Sequence, residues 1–409
     1  MARTKTQKRA DARPAAATTT IPSTSTAAVP IPVAGQQLDQ NVDSLLLKSH
    51  TLLAQQNYEL AQRFLTRLLA LEPSNAEARE LIGVCELELG NAEAARDHFL
   101  VSLQAPLQTS SAPYLYLAQL ASSPQEALNH YEAAVKILDQ QLTELVQSKQ
   151  TGVEDTKELE VAEGTMRKQI STALVGMTEI YLTDLCFEPL AEEKCNLLLQ
   201  KALSVLPTDP EAWICLASVR TSQQRPEEAI ECIEKGWAEW RDRELGDPLI
   251  PSIQTRLSLA RLLLEYHRFS EATTLLRGVL DEDDEDVEAA YLEGWAWFLR
   301  GEQIEDTEEE VVGKGKGKEV GSEGDEDELS KVDCWEEARE ILSVCQVLHQ
   351  SQNYPQIEIL AHVNEMLAAL DKAGIRPAQG VVDEGDMEAI DGEGQDWEDD
   401  DDDEDEDMA

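Results

Sequence analysis

Apolar and small residues recur along this chain at the spacing of paired helices, most clearly in 208–237, TDPEAWICLASVRTSQQRPEEAIECIEKGW. Counted from Pro210, Trp213, Leu216 and Ala217 stand at positions four, seven and eight. Ala229, Ile233 and Gly236 follow at twenty, twenty-four and twenty-seven. Small residues at eight and twenty let two helices approach closely, and the larger ones fill the space around that contact. The same phase runs from Val42 through Ala61, Leu65, Ile82, Gly83, Ala95 and Phe99. It continues in Ala118, Ala127, Tyr131 and Ala134, where the pattern predicts a second helix running past Leu142. The signal weakens between Gln147 and Glu163 and returns from Met166, with Cys195, Leu199 and Ala202 in register after five extra residues, DLCFE. A sixth unit keeps the full spacing in Leu259, Ala260, Leu263, Phe269, Ala272, Leu276 and Val279. A seventh opens with Gly294 and Trp297, breaks off, and resumes with Trp335, Ala338, Leu342 and Cys345.

A helical hairpin repeated every 34 residues is the tetratricopeptide pattern, and one hairpin cannot bury its apolar face without neighbours. The expected fold is all-α, a right-handed superhelical solenoid of about seven hairpins over 41–370. An amphipathic helix from Tyr354 to Leu370 caps its C-terminal end, stopped by Gly374 and Pro377. Residues 1–40, rich in Thr, Ala, Pro and Ser, cannot form a core and are expected to be disordered. The same expectation holds for an acidic insertion at 302–331 and an acidic tail at 371–409.

Charge sharpens the picture. The chain carries 81 acidic against 34 basic residues, a net charge of −47. Glu302–Lys331 holds 12 acids and 4 bases, and Asp383–Ala409 holds 17 acids and no base. The repeats are acidic as well. Nucleic acid and anionic membranes would be repelled, so neither is an expected partner, and a basic protein is the natural complement. The seven cysteines contain no C-x-x-C pair and read as small core residues of a reducing compartment. No apolar run reaches the length of a membrane span, and no signal-peptide core precedes the repeats. The expected localisation is cytoplasmic and nuclear, with Arg3, Lys5, Lys8 and Arg9 forming a basic cluster suited to an import signal. The six histidines lack metal spacing, and neither a phosphate loop nor a nucleophile elbow is present. The expected protein is no enzyme and needs no cofactor or metal.

In stacked tetratricopeptide hairpins the first helices line a concave groove through positions two, five, nine and twelve. Here those positions include Asp43, Glu77, Glu80, Glu179, Glu211 and Glu288, with Tyr291, Trp295 and Phe298 in the seventh unit. These nine residues form the candidate client-binding site. An extended Lys- and Arg-bearing segment fits there, with its charges paired and an apolar anchor on the aromatic end. Trp295 and Trp297 cannot both face one core, so one is expected to pack and the other to make contact. The Lys and Asn residues with which some tetratricopeptide proteins clamp acidic C-termini are missing. The second unit has Glu77, Glu80, Leu81 and Val84 in their place.

The segments NYELAQRFLTRLL (57–69), PYLYLAQL (113–120), EIYLTDLCFEPLAEEKC (179–195) and LEGWAWFL (292–299) resemble the fungal tetratricopeptide chaperones dedicated to large-subunit ribosomal protein four. The shortened third unit, the DLCFEP turn and the late acidic insertion carry the likeness, which spans 41–370. The resemblance implies a monomer that forms a one-to-one complex with its client. The chaperone holds the long basic loop of that new ribosomal protein, keeps it soluble and escorts it to nuclear pre-60S particles. An import receptor is an open further partner. Two other readings remain, a general chaperone of basic proteins such as histones and a scaffold within a nuclear complex.

Overall fold

The computed structural model describes residues 41–104, 110–151, 156–313 and 329–376. Every regular element among them is a helix. In chain order they are α1 Val42–Ala54, α2 Tyr58–Leu71, α3 Ala76–Glu88, α4 Ala92–Ser102 and α5 Ala112–Gln119. Then follow α6 Pro124–Thr151, α7 Thr156–Leu182, α8 Ala191–Val205, α9 Pro210–Ser222 and α10 Pro226–Ala238. The last five are α11 Ile253–Glu265, α12 Phe269–Leu280, α13 Val287–Gly313, α14 Lys331–Ser351 and α15 Ile357–Lys372. The contacts divide the chain into two compact units, Met1–Ala296 and Trp297–Ala409.

In the first unit each odd-numbered helix from α1 to α11 packs antiparallel on its even-numbered successor. α7 also packs on α9, and α9 on α11, so first helices form one layer and second helices the other. The ends are set locally. Asn41, Asn57 and Asn75 cap α1, α2 and α3 through side-chain oxygens, and Asp209 caps α9 with Pro210 just inside. The turns at Gln56, Gly90, Gln224 and His267 pass through left-handed backbone, which closes the hairpins in three residues or so. Ala61, Ala95, Ala217, Ala229 and Ala272 are fully buried, as the small-residue spacing requires. Gly83 lies against the Phe99 ring, where a Cβ would come within 2.6 Å of Cε1. Phe99 in turn stacks on Tyr116 with centroids 4.8 Å apart.

Two helices are unusually long for hairpin helices, and one of them exceeds its expected length. α6 runs on past Leu142 as the pattern predicted, and α7 begins ten residues before Met166. Neither added stretch contains proline; Gln, Glu and Lys in that of α6 and Glu and Lys in that of α7 favour helix without help from a core. Lys149 bridges the two helices through Glu163 at 2.6 Å, and Arg167 joins the same carboxylate.

The second unit contains the end of α13, α14 and α15. Trp335 of α14 stacks on Phe298 with centroids 6.0 Å apart, donates Nε1–H to the Phe298 carbonyl at 3.1 Å, and presses on Gly301. Cys334, Ala338, Leu342 and Cys345 form the buried stripe of α14, and Val363, Met366 and Leu370 that of α15. Burial pushes the Cys345 thiol up to about 12. α15 ends at Gly374, whose φ of +85° suits glycine. Helix α13 continues to Gly313, whereas the sequence reading began a disordered insertion at Glu302. The run EQIEDTEEEVV contains no glycine or proline to stop a helix already under way, and glutamate propagates it. Residues 1–40, the remainder of the insertion at 314–328 and the tail from 377 lie outside the described residues.

Candidate functional site

The predicted acids share a local origin. Asp43, Glu77, Glu211 and Glu288 each occupy the second residue of a first helix, α1, α3, α9 and α13. An acid there is stabilised by the unpaired N–H groups and dipole of the helix start. Repetition therefore sets a column of carboxylates along one layer of the stack.

The column is partly neutralised from within. His50 of α1 meets Glu77 of α3 at 3.1 Å, and Arg261 of α11 pairs with Glu288 of α13. Both partners stand 27 residues before their acid, which links position nine of one hairpin to position two of the next. Glu211 of α9 is held by Lys168 of α7 at 2.9 Å and by the Thr172 hydroxyl at 3.3 Å. Lys168 also reaches Asp209, which is 1% exposed, at 2.8 Å. Burial alone would pull this ammonium down, yet Glu211 and Asp209 outweigh it and hold its pKa above the usual lysine value. Asp43 is exposed, with its backbone N–H on the Asn41 cap.

Glu80 and Glu179 behave differently. Burial raises the Glu80 carboxyl above its ordinary range and the nearby Glu77 adds to this, against a hydrogen bond from Ser110 at 3.2 Å. Glu179 is raised by desolvation and then by Glu211. Water reaches Glu179, yet surrounding protein displaces much of its hydration, a combination that a concave surface produces. A half-buried tyrosine accompanies each carboxylate. Burial and Glu80 raise the Tyr116 hydroxyl, and burial and Glu179 push Tyr131 to about 12. No predicted site residue marked these tyrosines, because each also serves packing. Tyr116 stacks on Phe99, and the Tyr131 ring fills the space beside Gly176.

The aromatic end is divided. Tyr291 stacks on Trp295 in the first unit, with centroids 5.8 Å apart and 23° between the planes. Phe298 belongs to the second unit and packs on Trp335 there. Trp295 and Trp297 are both half-buried, and the Arg300 guanidinium lies 5.1 Å over the Trp297 ring. A basic residue 27 positions ahead of an acid at position two is the sequence signal of such an internal pair.

The Tetratricopeptide repeat family matches residues 46–108. A Schizosaccharomyces pombe protein named "Probable assembly chaperone of rpl4" is 28% identical over 313 residues, 74% of this chain and 82% of the relative. An Emericella nidulans protein of the same name is 27% identical over 362 residues, covering 86% and 85%. The solved structure "Assembly Chaperone of RpL4 (Acl4) (Residues 1-338)" matches with a TM-score of 0.62 and 29% identity, over 66% of this chain and 99% of that one. The resemblance read from the sequence is therefore shown, and the fold is an all-α tetratricopeptide one.

Proposed function

We propose that this chain is a ribosome-assembly chaperone for rpl4, the client named in its relatives. It binds the client's extended basic loop on the acidic layer of first helices, keeps the protein soluble in the cytoplasm and accompanies it to nuclear pre-60S particles. The role is one of binding, and no chemical step is needed. One chain holds one client, and an import receptor recognises the pair.

The observation that carries this reading is the state of Glu80 and Glu179. Both are carboxylates that the fold partly desolvates beside a second carboxylate, at a cost in free energy. A client Lys or Arg removes that cost by pairing, and the adjacent tyrosine rings offer faces for its alkyl stem or guanidinium. Basic chains of any origin share the charge, so a histone chaperone is the reading to exclude. Affinity purification of the full chain from cells, with quantitative mass spectrometry, tests this. One large-subunit ribosomal protein should dominate the captured proteins at near-equal molar amount. Histones at comparable yield, or many basic proteins equally, would overturn the dedicated role.

A further inference from the structure

The five residues that break the repeat spacing build a feature which the acidic layer does not use. Between α7 and α8 the chain runs TDLCFEPL, and Phe187 in its centre is 96% exposed. Leu190 and Leu197 are 56% and 57% exposed. They stand seven residues apart, Leu190 as the N-cap of α8 and Leu197 two turns into it. Single exposed apolar residues are ordinary, but a fully projecting phenylalanine followed by two leucines marks a contact surface. The turn holding Phe187 is well anchored. Leu185 N–H donates to the Ile180 carbonyl, Glu188 N–H to Leu185, and Ala191 N–H to Glu188, each at 3.0 Å. Leu185 packs into the core below, and Pro189 fixes the backbone beside it. A projecting aromatic on a rigid turn loses little freedom on binding, which is the property of an interface anchor.

Charge selects the occupant. Asp184, Glu188, Glu192 and Glu193 are all exposed around these apolar residues. The neighbouring Lys194 is engaged by the Tyr181 hydroxyl at 2.7 Å and by Glu188 at 3.7 Å. An apolar centre with an acidic rim fits a folded protein that presents an apolar depression rimmed by Lys or Arg, and repels an acidic one. The turn follows Glu179 by one helical turn, so a client whose extended segment lies at Glu179 brings its folded part within reach.

We infer that the Phe187 turn is a second docking site, which takes the folded, basic body of the same client whose extended loop lies on the acidic layer. This rests on the proposed function, and it makes client capture bivalent, so that dissociation requires both contacts to open. The test uses Phe187→Ala in the full chain, with Phe187→Leu as the conservative variant. The exposed position leaves folding intact, which a thermal melt checks. Exchange of full-length client out of the co-purified complex, against excess unlabelled chaperone, should become at least about tenfold faster in Phe187→Ala and change little in Phe187→Leu. Affinity for a synthetic loop peptide should stay as it was. Unchanged client exchange would overturn the inference, as would equal weakening for the peptide, which would make the turn part of the loop's own site. If the wild type retained the client but bound no loop peptide, the acidic-layer reading would fall while the second site stood.

Discussion

Replacing Glu80 and Glu179 by glutamine separates a binding role from a structural one, because the two roles predict opposite signs. Glutamine mimics the protonated carboxyl. In the free protein the change removes a charge that burial and Glu77 or Glu211 disfavour. Water still reaches Glu179, so the gain is small, up to about 0.5 kcal/mol per site or roughly 1–2 °C in melting temperature. The same reasoning fixes the pH dependence. A carboxyl whose folded pKa is raised binds protons more readily in the folded state, so its penalty is present at neutral pH. That penalty fades as pH falls through the raised pKa towards the ordinary carboxylate value. The wild type should therefore recover stability on mild acidification relative to the double variant. In the complex the sign reverses. A fully formed pair at 4 Å is worth about 4 kcal/mol at an effective dielectric of 20, whereas exposed pairs net about 0–1. Partly desolvated carboxylates lie between, at about 1–2 kcal/mol each, or roughly fivefold to thirtyfold in Kd. The two sites lie on α3 and α7, so their effects should nearly multiply. Fluorescence anisotropy with a labelled Lys- and Arg-rich loop peptide at about 0.15 M salt reads the affinity, and calorimetric melts read the stability. An unchanged Kd in a variant that melts several degrees lower would make these carboxylates structural and refute the reasoning.

Lys168→Ala should cost about 2–3 kcal/mol in urea denaturation, since it strips the buried Asp209 of its cation, while Lys168→Arg should recover most of this. A loss below about 0.5 kcal/mol would mean that Asp209 does not depend on Lys168. Gly83→Ala should destabilise by about 1–3 kcal/mol, because its Cβ would meet the Phe99 ring at 2.6 Å. Adding Phe99→Leu should return part of that loss, and a melting temperature unaffected by the single change would remove the close approach from the account.

The hairpins were legible because packing is written in residue size. Ala217, Ala229 and Ile233 are buried where the period places them. A Cβ on Gly236 would approach Ile214 Cγ1 at 3.1 Å, which explains why that position is small. Helix length was less legible. The run of α6 past Leu142 was legible, but the turns that α7 adds before Met166 contact little core, so hydrophobic period carries no signal there, and only the lack of proline does. The site was legible as a column of acids but not as a set of pairs. Each cation that meets the column comes from the preceding first helix, a contact that becomes visible only when two repeats are aligned. Phe298 falls at position twelve of its unit, which is why the spacing places it in the groove. Its ring packs on Trp335, a partner that the interruption hid from the spacing.

Self-neutralisation of the column bears on the proposed function. A groove whose every acid stood unpaired would repel itself and lower the stability of the stack at neutral pH. Here Glu211 and Glu288 each meet an internal cation and Glu77 meets the His50 imidazole, so the layer stays acidic in sum while few carboxylates are strongly disfavoured. An arriving lysine or arginine can pair with Glu80 or Glu179 at once, or compete with Lys168 or Arg261 for Glu211 and Glu288. Competition makes those later contacts nearly neutral in energy, since one ion pair is exchanged for another. Affinity then concentrates at the two partly desolvated carboxylates and their tyrosines, and the remaining contacts act mainly through the long-range field. Ribosomal RNA presents a denser array of negative charge than this layer does, so it can outcompete the groove as the client's loop reaches its site. A holder built from exchangeable pairs therefore needs no energy source for release, only a stronger anion at the destination.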